Sequence, residues 1–150
     1  MLDRFVALLE ILTVLPEEYQ TSRLDKANRR DVRGGLTRGA ESVLQLLLQI
    51  MTDGTSDTTA KEKSIKCFAS WLALDLPPNV TQNHIHQCFQ FIRDAALFEV
   101  SVEAILAALA SPMAHQYPDS IEAMFPKVIA LGTYLPIIIV LHPKQLHANI

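Results

Sequence analysis

The apolar positions of this chain recur at an interval of about 40 residues. Leu44 and Ile85 are 41 residues apart, and each lies in a stretch with helical spacing. Ile65 and Ile105 are 40 residues apart in the stretches that follow. This interval fits a repeating unit of one helix, a short turn and a second helix, and it predicts an α-solenoid of HEAT repeats. In such a solenoid, antiparallel helix pairs stack, and each pair buries its apolar faces against the next pair.

The predicted fold class is all-α, because no stretch of four or more residues shows the apolar alternation of a strand. The order of helices gives about two full repeats with a half repeat on either side. Residues 1–131 are expected to form the solenoid segment, and 132–150 a divergent apolar tail that completes no helix pair. The expected helices lie near residues 1–15, 37–52, 58–75, 82–93, 97–110 and 118–131.

Prolines and capping residues set the expected helix ends. Pro16 is expected to close the first helix, because proline lacks the amide hydrogen and its ring clashes with the preceding turn. Residues 17–36 show no apolar period and predict a linker with at most one short helical turn. Pro77 and Pro78 should end the third helix, and Thr81 carries the side chain of an N-cap for the fourth.

The segment 58–76 is apolar over most of its helical circumference. Phe68 and Leu72 fall on one side of the helix, whereas Trp71 falls on the other apolar side. A helix of this kind needs neighbours on several sides, so it is expected to be an inner element of the stack. Trp71 should therefore be largely buried, and Lys66, in the narrow polar band, should be exposed.

Composition indicates a folded protein without a strongly charged or membrane-spanning character. The 150 residues are 49% hydrophobic and 19% charged, which argues against disorder. A net charge of −3 gives no global sign of binding to nucleic acid or to an anionic membrane. No apolar run reaches the ~20 residues of a transmembrane helix. Cys67 and Cys88 both lie in apolar helical patterns and are interpreted as reduced thiols of a core.

No motif in the sequence predicts catalysis, a cofactor or a metal. His84 and Cys88 share one helix face, but His86 points elsewhere and no fourth ligand follows at a useful spacing. The glycines within 34–39 have no preceding strand and no Lys-Ser or Lys-Thr pair after them, so a phosphate-binding loop is not expected. No serine, cysteine or carboxylate lies beside a base in a known arrangement. The chain is interpreted as a non-enzymatic protein that requires no cofactor.

One candidate binding surface is formed by the polar bands of successive second helices. In a solenoid these bands line up on one curved face, and such concave faces bind protein partners. A hydrated face without a partner is the open alternative for any single residue. The candidate residues of this inner surface are Asp3, Glu10, Lys63, Lys66, Ser70, Glu99 and Glu103.

A second candidate surface is the basic stretch 23–38, which carries six of the 13 lysines and arginines. A solvated loop and a contact with an acidic protein surface both remain open, whereas nucleic acid is disfavoured because no aromatic residues are interleaved. The candidate contact residues of this predicted loop are Arg29, Arg30 and Arg33.

Three stretches resemble the importin-β family of karyopherins. They are LEILTVLPEEYQTSRL at 9–24, KCFASWLAL at 66–74 and LFEVSVEAILAAL at 97–109. The first is the most specific, because it includes residues without helical period. The resemblance extends over about 9–131, and the sequence departs from the family pattern from Gly132 onward.

The resemblance implies a HEAT-repeat nuclear transport receptor that moves between cytoplasm and nucleus. Such a receptor is expected to bind folded cargo proteins and the GTP form of the GTPase Ran, with nuclear pore proteins as further partners. Most Ran contacts are expected in repeats upstream of this sequence. A HEAT-repeat scaffold of a non-transport assembly remains the alternative, because a receptor and a scaffold have the same residue patterns. A small helical enzyme is a third and much weaker alternative.

The tail contains the segment 137–141, IIIVL, which is apolar, rich in β-branched residues and uncharged. Pro136 and Pro143 interrupt any helix there, so the segment has the composition of an aggregation-prone strand. Deleting 132–150 is expected to raise the soluble fraction after expression, measured by centrifugation and light scattering. Strong amide-exchange protection through 137–141 in a monomeric chain would contradict this prediction.

Overall fold

The computed structural model describes residues 2–74, 76–111, 119, 122–123 and 126–130. All regular secondary structure within these residues is helical, which confirms the predicted all-α class. None of the described helices is long and apolar enough to cross a membrane. The helices are α1 (Leu2–Thr21), α2 (Lys26–Thr52), α3 (Thr58–Trp71), α4 (Pro78–Phe91) and α5 (Phe98–Leu109).

The helices form two layers. α1, α3 and α5 pack side by side in one layer, and α2 and α4 pack against each other in the second. The pairs α2–α3 and α4–α5 each join one helix from either layer through a short connection. Ile65 and Ile105, which the 40-residue interval places at equivalent positions, are both buried. The architecture is the predicted HEAT-like stack, with α1 in the place of a second helix.

The expectation that the first helix ends at Pro16 is wrong, because α1 continues through the proline to Thr21. Proline supplies no N–H to the carbonyl four residues earlier, so the Leu12 carbonyl loses its helical donor. The indole N–H of Trp71 donates to that carbonyl at 2.9 Å. Pro16 is itself fully buried. A donor from a neighbouring helix therefore replaces the missing bond.

The predicted linker at 17–36 is also wrong, because only residues 22–25 separate α1 from α2. Asp25 is the N-cap of α2, and its carboxylate accepts a hydrogen bond from the Asn28 amide at 2.9 Å. The buried residues of α2 begin only at Ala40. Its N-terminal half is polar around most of its circumference, so no apolar period marks it as a helix.

Two further helix ends differ from the prediction. α3 ends at Trp71, and turn hydrogen bonds follow, including Leu74 N to Trp71 O at 3.1 Å. α4 begins at Pro78, where proline fits the first helical turn because its missing N–H would have no partner there. Thr81 lies inside that turn with its hydroxyl donated to Pro78 O, so its predicted N-cap role is wrong. Pro77 occupies the N-cap position.

α5 lies within the predicted range 97–110. Within the helix predicted at 118–131, the chain is helical at each described position, namely 119, 122–123 and 126–130. The predicted boundary at 131, the tail 132–150 and the IIIVL segment fall outside the described residues.

Trp71 is the largest fully buried side chain and is 2% exposed, as predicted, while Lys66 is exposed. Replacing Trp71 with Ala is expected to lower the free energy of unfolding by roughly 3–5 kcal/mol, because the change opens a cavity in the core. The measurement is urea denaturation followed by circular dichroism. Leu106→Ala on exposed α5 surface is the control, with an expected change within about 0.5 kcal/mol. Equal losses for both variants would contradict a core role for Trp71.

Candidate partner-binding surface

The polar band of α3 meets that of α1 through an ion pair between Lys63 and Glu10. The ammonium nitrogen lies 3.1 Å from Glu10 Oε1, and the two side chains keep 30% and 57% of their surface exposed. Such a partly exposed pair contributes little to stability because water screens it. Its main effect is to fix two of the predicted surface residues beside each other across the helix boundary.

Two other predicted residues of α3 already have partners. The Ser70 hydroxyl donates to the Thr13 carbonyl at 2.6 Å and is half-buried, so its hydrogen is used between α1 and α3. Lys66 lies 3.3 Å from Glu62 one turn earlier in the same helix. Glu62 was missed in the sequence analysis, although a glutamate four residues before a lysine is the favourable order for a helical ion pair.

α5 continues this surface with a different charge. Glu99 and Glu103 are both exposed and lie one turn apart. The 40-residue interval that relates Lys63 to Glu103 also relates Lys66 to Leu106, which is 58% exposed. The surface therefore changes from cationic on α3 to acidic and partly apolar on α5.

The structure brings Glu10, Lys63 and Ser70 together at the boundary between α1 and α3. Glu99 and Glu103 follow on α5, the helix that packs on the far side of α3. Asp3 belongs to α1, but its side chain lies outside the described part. The remainder of the predicted set occupies one helical layer, so we treat these residues as one surface and call it the inner surface.

The prediction that the basic residues lie in a loop is wrong, because Arg29, Arg30 and Arg33 all lie on the helix α2. The Arg29 guanidinium stacks 4.6 Å above the ring centroid of Tyr19 and donates to the Ser22 carbonyl at 3.3 Å. Arg29 therefore holds the connection between α1 and α2. Arg30 and Arg33 are exposed, and helical spacing places them on one side with Lys26. We call Lys26, Arg30 and Arg33 the basic face of α2.

His84 is buried between three helices. Its ring stacks on Phe68 of α3 with centroids 5.0 Å apart, and its Nε2 lies 2.6 Å from the Leu44 carbonyl of α2. A carbonyl only accepts, so Nε2 carries the proton and Nδ1 is the unprotonated, buried nitrogen. Burial lowers the pKa of His84 below 6.5, and the bond to Leu44 opposes that shift in part. His84 is thus a neutral core residue.

Neither cysteine has the character of a nucleophile. Cys67 and Cys88 are both free and buried, as expected for core thiols. Burial raises the pKa of Cys67 to about 11 and that of Cys88 to about 12, so both stay protonated at neutral pH. Among the described residues, no three histidine, cysteine or carboxylate side chains come together as a metal site.

Comparison with known proteins gives a consistent result over most of the chain. The family model of exportin 1-like proteins matches residues 3–105. Importin-13 of Gallus gallus is 40% identical over 132 residues, which make up 88% of this chain and 14% of that protein. Importin-13 of Rattus norvegicus and of Homo sapiens are each 39% identical over the same shares. The chain therefore spans about 14% of the length of these curated relatives.

Protonation of His84 should destabilise the fold. Because its folded-state pKa is lower than the unfolded value of 6.5, the unfolded chain binds more protons as the pH falls through that value. The free energy of unfolding is expected to decrease below pH 6.5, with a slope of at most about 1.4 kcal/mol per pH unit from this one proton. Urea denaturation between pH 7.5 and 5 measures it.

His84→Gln should flatten this pH dependence, since glutamine keeps a donor for the Leu44 carbonyl but does not titrate. His86→Gln is the matched control, because His86 lies on the exposed side of the same helix. The account of His84 fails if the His86 variant loses the pH dependence and the His84 variant keeps it.

Proposed function

Because the chain belongs to the exportin 1-like protein family, we propose that it acts as a non-enzymatic, protein-binding segment of an importin-13-like nuclear transport receptor. The match over 3–105 carries this proposal, since it runs from α1 into α5 and so includes the whole inner surface from Glu10 to Glu103. The resemblance to karyopherins seen in the sequence is confirmed by the importin-13 similarity.

The inner surface is the proposed contact for folded cargo. Lys63 and Lys66 form its cationic centre, and each already lies near one carboxylate. A cargo carboxylate can replace Glu10 or Glu62 with little net cost, because exposed pairs of this kind are weak. The exposed Leu106 adds an apolar point beside Glu103, as at many protein interfaces. The favoured cargo therefore presents acidic side chains to α3 and a basic or apolar group to α5.

The basic face of α2 is a second proposed contact, with an acidic protein surface as its partner. It lies on the half of α2 that precedes the buried residue Ala40. Residues 23–38 carry six basic side chains against the two acids Asp25 and Asp31. Asp25 is engaged as the N-cap. This excess of positive charge would speed association with an acidic partner. The attraction would weaken as the salt concentration rises.

Ran and the nuclear pore are proposed partners of the receptor rather than of this segment alone. The chain spans 14% of the length of importin-13, so we assign most contacts with Ran to regions outside it. A receptor whose cargo binding is regulated by the nucleotide on Ran would work in both the cytoplasm and the nucleus. A scaffold of a non-transport assembly would use the same stack without sensitivity to Ran.

The test of this proposal is a binding experiment with a receptor that contains this segment together with the repeats that flank it in importin-13. Ran loaded with GTP and Ran loaded with GDP are compared for capture by the immobilised receptor. Preferential capture of the GTP form is expected. Equal capture of both forms, or none, would contradict the transport function and favour the scaffold.

Charge reversal on the inner surface should weaken cargo binding without unfolding the chain. Lys63→Glu with Lys66→Glu is expected to lower the affinity for an acidic cargo at least tenfold, because attraction becomes repulsion at two positions. The free energy of unfolding should change by less than about 1 kcal/mol, since both side chains are partly exposed. Isothermal calorimetry and urea denaturation measure the two effects.

Two matched variants separate the proposed contacts. Lys127→Glu reverses an exposed charge elsewhere and should leave cargo affinity unchanged. Arg30→Glu should affect only a partner that uses the basic face of α2. Cargo affinity that is insensitive to Lys63 and Lys66, yet falls with Lys127→Glu, would remove the inner surface from the proposal.

A further inference from the structure

α3 has a neighbouring helix of its own layer on each side. α1 packs against one side of α3, and α5 packs against the other. No further repeat can pack between these helices, so the exposed polar band of α3 stays exposed in a longer stack. The two lysines of this band, Lys63 and Lys66, keep 30% and 45% of their side-chain surface exposed. Their accessibility is thus a property of the stack itself.

The two lysines lie between two carboxylates. At about 100° per residue, Lys66 lies about 40° around the helix axis from Glu62, and Lys63 lies about 60° further in the same direction. Lys66 Nζ is 3.3 Å from Glu62 Oε1 within α3. Lys63 faces α1, where its Nζ is 3.1 Å from Glu10 Oε1. The order across the surface is therefore Glu10, Lys63, Lys66 and Glu62.

The spacing of the lysines matches that of two carboxylates on a second helix. Residues three or four apart on a helix have Cβ atoms about 5–6 Å apart, and this applies to the lysines of α3 and to two glutamates of a ligand helix. Such a ligand can present one carboxylate to each lysine. Because Glu10 and Glu62 already hold both ammonium groups, the ligand has to displace them.

The two resident carboxylates are held in different ways. Glu62 precedes Lys66 by four residues, so this pair depends only on the helicity of α3. Glu10 belongs to α1, and two hydrogen bonds from the last turn of α3 to α1 carbonyls, at 2.6 and 2.9 Å, hold α1 in place. The packing of the two helices therefore keeps Glu10 beside Lys63 at a high effective concentration.

The charge of the neighbouring helices limits the width of an acidic ligand. Glu99 and Glu103 are exposed on α5, on the other side of α3 from Glu10. A broad acidic surface would meet like charge on both neighbours of α3, whereas a single helix laid along α3 would meet the lysines alone. Charge complementarity therefore favours a narrow acidic segment.

We infer that Lys63 and Lys66 bind an acidic helical segment of a partner protein through two carboxylates one turn apart, and that Glu10 and Glu62 are internal competitors that lower its affinity. This inference rests on the proposed function, since it specifies the partner of the same surface. A single cargo carboxylate displaces one competitor and leaves the other pair intact. Two carboxylates one turn apart displace both, so the competitors make the surface selective for closely spaced acidic pairs.

Two helical peptides of identical composition test the spacing. Both consist of alanine and glutamine with two glutamates, which are four residues apart in the first peptide and two residues apart, on opposite faces, in the second. NMR titration of the full 150-residue chain at physiological ionic strength measures binding through the amide shifts of α3. The first peptide is expected to bind about threefold more tightly, because it alone reaches both lysines. Equal affinities, or no binding of either peptide, would overturn the inference.

Removing a competitor should tighten binding of the first peptide. Glu10→Gln is expected to lower its dissociation constant about threefold, and Glu62→Gln about twofold, since exposed ion pairs contribute modestly. Glu18→Gln is the matched control, because it makes the same charge change at an exposed position of α1. Glu18 lies ~12 Å along the helix from Glu10, beyond the Debye length of ~8 Å, so the control should leave the affinity unchanged.

Circular dichroism verifies that each variant is folded. Internal competition is wrong if Glu10→Gln and Glu62→Gln tighten binding no more than Glu18→Gln does. In that case a loss of cargo binding in the variant Lys63→Glu with Lys66→Glu would still support the inner surface as the cargo contact. The inference and the proposed function can therefore fail separately.

Discussion

The contact between Trp71 and the carbonyl left open by Pro16 joins the first helix to the rest of the stack. Pro16 removes the helical donor of Leu12 O, and a partly buried carbonyl without a donor costs about 1–3 kcal/mol. The indole N–H of Trp71 supplies that bond at 2.9 Å, and Ser70 donates to the next carbonyl, Thr13 O, at 2.6 Å. Two adjacent residues of α3 thus hold the middle of α1 against α3.

The arrangement of the proposed binding surfaces follows from this contact. Once α1 is set against α3, Glu10 lies beside Lys63, and the inner surface becomes continuous across the two helices. In the same arrangement, Leu8, Ile11 and Leu15 of α1 are exposed. The contact at Pro16 therefore determines which side of α1 contributes to the inner surface.

The repeat interval and the apolar pattern of α3 are sufficient to predict the helical stack and the burial of Trp71. They could not predict that α1 crosses Pro16, because the compensating donor lies 59 residues away. The N-terminal half of α2 was missed for a different reason: its residues are polar on nearly all sides, and its stability depends on the Asp25 cap and the Arg29–Tyr19 contact. The predicted residues Glu10 and Lys63 were correctly placed on second helices, but their pairing depends on the relative rotation of α1 and α3, which periodicity does not specify.

A double-mutant cycle of Trp71→Phe and Pro16→Ala in urea denaturation measures whether Trp71 replaces the hydrogen bond lost at Pro16. Trp71→Phe keeps an aromatic ring but removes the donor, and should cost about 1–3 kcal/mol in the unaltered chain. In the Pro16→Ala background the alanine amide can bond to Leu12 O, so the same change should cost at least about 1 kcal/mol less. Equal costs of Trp71→Phe in both backgrounds would contradict the account.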